Sequence, residues 1–123
     1  SDRVVELVLE VLVAYDEASQ KKPILLDLGD GIINVLKKRS LDVPPEITRL
    51  NELQIQKRKR DLTVNECEEL VRIAESNEYD EESIIGAYLL LDNHIAAKLH
   101  FEKIDADRQN HFRSFPIYRF WSH

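Results

Sequence analysis

A single cysteine, Cys67, is the only sulfur in the chain, because methionine is absent altogether. One thiol cannot form an internal disulfide or a cysteine-based metal site, so nothing here calls for an oxidising compartment and the cytoplasm is the expected location. Without methionine even at the start, the chain reads as a single all-helical domain, 1–123, excised from a larger protein, with Ser1 a leftover of the excision. Only 3 glycines and 4 prolines interrupt it, too few for a disordered or turn-rich chain. No run approaches the roughly 20 apolar residues of a membrane span. The apolar opening also lacks the cationic leader and small-residue cleavage site of a signal peptide. Surplus positive charge is missing as well: the net charge is -6, which argues against a generic nucleic-acid binder.

What is present is helical periodicity. Residues 2–18 carry Val4, Val5, Leu7, Val8, Leu9, Val11, Leu12 and Val13, broken only by Glu6 and Glu10, a helical rather than alternating pattern. Pro23 opens a second helix, with Leu25, Leu28, Ile32, Val35 and Leu36 expected to face inward and Lys37, Lys38 and Arg39 in the last turn. Gly29 and Gly31 within it suit close packing against another helix. The carboxylates of Asp27 and Asp30 beside them allow a cation loop only without the usual ligand set. Pro44-Pro45 starts a third helix through Ile47, Leu50 and Leu53, ending in Lys57-Arg58-Lys59-Arg60.

Thr63-Val64-Asn65-Glu66 is a capping box, in which the threonine oxygen and the glutamate each satisfy a free backbone N–H at the helix start. Cys67, Leu70, Val71 and Ala74 follow at helical spacing toward a stop at Asn77, which reads as a helix with a buried, inert thiol. Asp80 caps a helix apolar all round (Ile84, Ile85, Ala87, Leu89, Leu90, Leu91), the mark of a buried one. The chain reverses at Asp92-Asn93. The next helix offers two apolar faces, Ile95, Ala96 and Leu99 on one side and Ala97, Phe101 and Ile104 on the other, which implies two packing neighbours. Asp105 caps a last short helix through Phe112, and aromatics then gather around Pro116.

Small Ala87, Leu90 a turn later, the tight reversal, small Ala97, then Phe101 and Ile104 resemble the packing positions of a tetratricopeptide-type helical hairpin. The likeness covers about one repeat, with a shorter reversal and no closing proline before Pro116. It implies antiparallel helical hairpins, as a bundle or a short solenoid, and a scaffold that binds other proteins. The all-α fold is expected on periodicity alone.

The expected role is a protein-interaction or oligomerisation module without catalysis. Its contact is assigned to the first helix, through Val4, Val8, Val11, Leu12 and Tyr15, or to the aromatic ending, through Tyr118, Phe120 and Trp121. The alternative is a nucleic-acid-binding helical domain using Lys57, Arg58, Lys59 and Arg60, although cations at a helix C-terminus also complement its dipole. No metal or cofactor site is expected: His94, His100, His111 and His123 lack the three- or four-residue spacing of a helical metal pair, and no phosphate loop or nucleophile elbow appears. Small polar clusters remain at Arg108, His111 and Arg113, and at Arg119 with His123. An enzyme would require a cleft in which a histidine meets a carboxylate or an arginine.

Overall fold

The computed structural model describes residues 2–39 and 43–121, so Ser1 and His123 lie outside the described residues. Among these residues there are seven α-helices, one 3-10 helix and no strand. The chain is an all-α helical bundle whose internal contacts gather into two compact units, Ser1–Asp61 and Leu62–His123.

The first unit holds α1 (Asp2–Glu17), α2 (Pro23–Lys38) and α3 (Pro45–Lys59). Proline opens α2 and α3, where its missing N–H costs nothing and its fixed φ suits the first turn. α1 packs on α2, α2 on α3, and α1 also touches α3. Their shared core is Val8, Leu12, Leu26, Ile33, Leu36 and Ile55. The inward face of α2 is therefore Leu26, Gly29, Ile33 and Leu36, and Leu28 and Val35, expected inside, are exposed. Apolar residues cover more than half the circumference of this helix, so periodicity does not choose a face. The buried glycine does: a Cβ on Gly29 would lie 3.0 Å from Ile55 Cδ1, so α2 and α3 approach closely there, while Gly31 faces open space.

The second unit holds α4 (Val64–Ala74), α5 (Glu81–Leu90), α6 (His94–Phe101), α7 (Ala106–Arg113) and a closing 3-10 helix (Pro116–Trp121). α4, α6 and the 3-10 helix all pack on α5, and its residues Ile84, Ile85, Ala87, Leu89 and Leu90 are buried accordingly. The helix starts follow the local chemistry. Thr63 and Glu66 form the reciprocal capping box, and Asp80, Asn93 and Asp105 each accept from the backbone N–H three residues on. α4 ends at Ala74, three residues before Asn77. After α5 the N–H of Asp92 bonds to the Leu89 carbonyl (3.0 Å) and that of Asn93 to the Tyr88 carbonyl (2.9 Å). This paired C-cap places Asp92 at φ 60°, the left-handed position usually given to glycine.

Candidate functional site

The α1 residues named from the sequence are largely absorbed by the first unit's core. Val8 and Leu12 are fully buried, and Val4 and Tyr15 pack against them. Val11 is half-buried. Val8 and Leu12 therefore have no surface to offer a partner, whereas Leu7 remains exposed on α1.

The aromatic ending closes the second unit in the same way. Phe101 meets Trp121 edge-on with ring centroids 4.9 Å apart, and Phe112, fully buried, meets Tyr118 edge-on at 6.2 Å. These are favourable quadrupole geometries. Tyr118, Phe120 and Trp121 remain half-buried, and the Arg119 guanidinium lies over the Phe120 ring at 5.5 Å.

The basic run is paired internally over much of its length. The Arg58 side chain is 1% exposed and donates from Nε and Nη2 to the two oxygens of Asp16, both at 2.8 Å. Its Nη1 donates to the carbonyl (2.9 Å) and side-chain oxygen (3.0 Å) of Gln54, which in turn donates to buried Asn51 (2.8 Å). Lys59 bridges Asp30 (2.7 Å) and Asp27 (2.9 Å), and these carboxylates raise its pKa. Arg60 donates to the Asp61 carbonyl at 2.9 Å and reaches Gln56 at 3.4 Å. The carboxylates of Asp27 and Asp30 thus serve Lys59.

The charge is unevenly divided along the chain. Residues 1–61 contain eleven Lys and Arg and eleven Asp and Glu; residues 62–123 contain six and twelve, and so carry the whole net charge of -6.

The three described histidines lie apart from one another but are not idle. His111 meets the Phe115 ring, and His94 opens α6. His100, in the last turn of α6, meets Glu81, in the first turn of α5, with Nδ1 2.8 Å from Oε2. A carboxylate only accepts, so Nδ1 carries the proton. The pair lies on a cleft of about 370 Å³ lined also by Tyr88, Tyr79, Ser76, Glu75 and Lys103. A histidine oriented by a carboxylate is half of a general-base arrangement, whose other half is a hydroxyl or thiol in reach of the second ring nitrogen. Here the ring stacks on Tyr88 at 5.5 Å, and Ser76 Oγ accepts from the Glu78 N–H at 3.1 Å. The pair ties α5 to α6, and it is the histidine–carboxylate cleft that an enzyme would require.

Arg108 pairs with both oxygens of Glu82, which raises its pKa, and Arg113 donates to Asn110 (2.8 Å) and lies over Phe101. The cluster of Arg108, His111 and Arg113 therefore faces three different neighbours. Among the described residues no group of three His, Cys, Asp or Glu is placed to hold a metal ion, and no helix is long and apolar enough to cross a membrane.

The surface that sequence reasoning missed is on α2. Ile24 is 70% and Leu28 52% exposed, and with exposed Val35 they form an outward apolar stripe with Gly31 between the last two. Of this stripe Leu28 and Val35 are expected inward from the sequence and Ile24 is assigned to neither side. A second stripe lies on α6, where Ile95 is 80% exposed and Leu99 faces out beside it. Of the two faces expected to find neighbours there, Ala97, Phe101 and Ile104 are buried, whereas Ile95 and Leu99 are exposed and Ala96 is half-buried. Cys67, expected inside, is half-exposed on α4 in a shallow apolar depression with Leu62, Val64 and Val71, because α4 buries Leu70, Ile73 and Ala74 instead. Compared with protein-family models, curated proteins and solved structures, the chain matches none.

Proposed function

We propose that the chain is a protein–protein interaction or oligomerisation module without catalytic activity of its own, acting in the cytoplasm. The observation that carries this reading is the pair of outward apolar stripes, Ile24–Leu28–Val35 on α2 and Ile95–Leu99 on α6, each on a helix whose opposite side is buried. Large aliphatic side chains aligned at helical spacing on a solvent face are surface that association removes from water. The α5–α6 hairpin supports a tetratricopeptide-like scaffold, since Ala87 and Ala97 are fully buried, as small residues are where two such helices meet. The nucleic-acid alternative has less support, because Arg58 and Lys59 direct their donors at Asp16, Asp27 and Asp30.

Site-specific photocrosslinking in cells tests the reading. A photoreactive residue at position 28 or 99 is expected to give a discrete adduct, whereas the same residue at Asn34 or Lys98, exposed on the polar sides of α2 and α6, gives none. Equal background at all four positions removes the reading.

A further inference from the structure

We propose that the outer face of α2 docks an amphipathic helix of a partner protein that carries carboxylates flanking its apolar face. This rests on the interaction reading and extends it by naming the partner's chemistry. The stripe from Ile24 to Val35 runs about 16 Å, three helical turns. Gly31 sits between Leu28 and Val35 with nothing within 4 Å of a Cβ built on it. Leu28 and Val35, the apolar neighbours of Gly31 on this face, leave a gap between them at the glycine, the relief that accepts a knob from a facing helix. No packing inside the described chain uses that glycine, although it weakens α2 by about 1 kcal/mol relative to alanine.

The charge around the stripe selects the occupant. Lys38 and Arg39, exposed, follow Val35 at three and four residues and so continue the same face, and Lys21 and Lys22 stand exposed before its first turn. Lys21 reaches back to the Tyr15 and Asp16 carbonyls at the end of α1, which leaves its charge in place. The acidic residues of α2, Asp27 and Asp30, are bridged by Lys59. An apolar face with cations at both ends complements a helix with carboxylates at both ends. A second copy of α2 is disfavoured, because parallel pairing sets cations on cations and antiparallel pairing sets Lys38 and Arg39 against Lys21 and Lys22. A lipid surface makes no use of a hole between Leu28 and Val35, and the stripe has none of the aromatic side chains common on interfacial helices.

The test uses the full chain and two labelled synthetic peptides of about four turns, with identical leucine stripes and either glutamates or lysines at both ends. Fluorescence anisotropy is expected to show the glutamate peptide binding at least about tenfold more tightly than the lysine peptide, more so at low salt. Leu28→Asp, and separately Gly31→Leu, which fills the hole without removing any existing contact, are each expected to weaken binding about tenfold while the circular-dichroism melt shows the chain still folded. Equal binding of both peptides overturns the charge assignment and leaves the interaction reading standing. Binding of neither peptide overturns the dock on α2, and adducts from position 99 alone then keep the interaction reading on α6. Concentration-dependent self-association abolished by Leu28→Asp, or co-sedimentation with phosphatidylserine vesicles abolished by it, overturns the proposal in favour of a second copy or a membrane surface.

Discussion

Replacing Arg58 by methionine should destabilise the protein rather than release a nucleic acid. The substitution keeps much of the stem's apolar volume but removes four hydrogen bonds, two to Asp16 and two to Gln54. Asp16 would lose its guanidinium while its side chain is only 17% exposed. Breaking a buried ion pair by deleting one partner costs about 3–5 kcal/mol. Asp16 keeps some water, which places the expected loss near the lower end, about 3 kcal/mol, a large share of the 5–15 kcal/mol typical of a whole domain. Arg58→Lys keeps the charge but not the fork and should cost about 1–2 kcal/mol. With Asp16→Asn the two changes should be coupled by about 1 kcal/mol or more. Urea denaturation followed by far-UV circular dichroism is the appropriate assay, since the only tryptophan, Trp121, lies in the second unit. A loss under about 0.5 kcal/mol, the range of ordinary surface changes, would refute the reasoning. An Arg58→Met protein of unchanged stability that lost salt-sensitive nucleic-acid binding would restore the alternative role of the basic run.

Two further outcomes follow from neighbouring residues. Gly31→Ala should raise stability by about 0.5–1 kcal/mol through helix propensity alone, whereas Gly29→Ala should show no such gain in a thermal melt, because its Cβ meets fully buried Ile55 at 3.0 Å; equal gains would contradict the close approach of α2 and α3. Asp30 and Asp27 raise the Lys59 pKa above its ordinary 10.5, so the stability from this pair is present below the unfolded value and disappears as pH rises through the folded one. The difference between wild type and Lys59→Met, a few tenths of a kcal/mol for so exposed a group, should therefore stay constant up to about pH 10 and shrink only above the ordinary 10.5, and a difference that already shrinks between pH 8 and pH 10 in parallel urea titrations, or does not shrink above it, would count against it.

The helix starts were readable because each is decided within four residues. Thr63 and Glu66, Asp80, and Asp105 satisfy backbone groups of their own first turn, and Pro23 and Pro45 fix a local φ. The faces were less readable. Leu28 and Val35, expected inside, are exposed, Cys67, expected inside, is half-exposed, and of the α1 residues offered to a partner Val8 and Leu12 are core while Val4, Val11 and Tyr15 are half-buried. In each case the apolar arc is wider than one neighbour covers, so the local pattern admits several rotations of the helix.

By itself the sequence determined an all-helical chain, its caps and its reversal at Asp92-Asn93, because those depend on spacing and short-range hydrogen bonds. Tertiary structure alone decided which side of α2 meets α3, that Arg58 finds Asp16 across 42 residues of sequence, and that the contacts divide near Asp61 into two units. Those outcomes depend on which surfaces fit at close range, and a glycine too tight for a Cβ or an arginine fork around a distant carboxylate leaves no periodic trace in the chain.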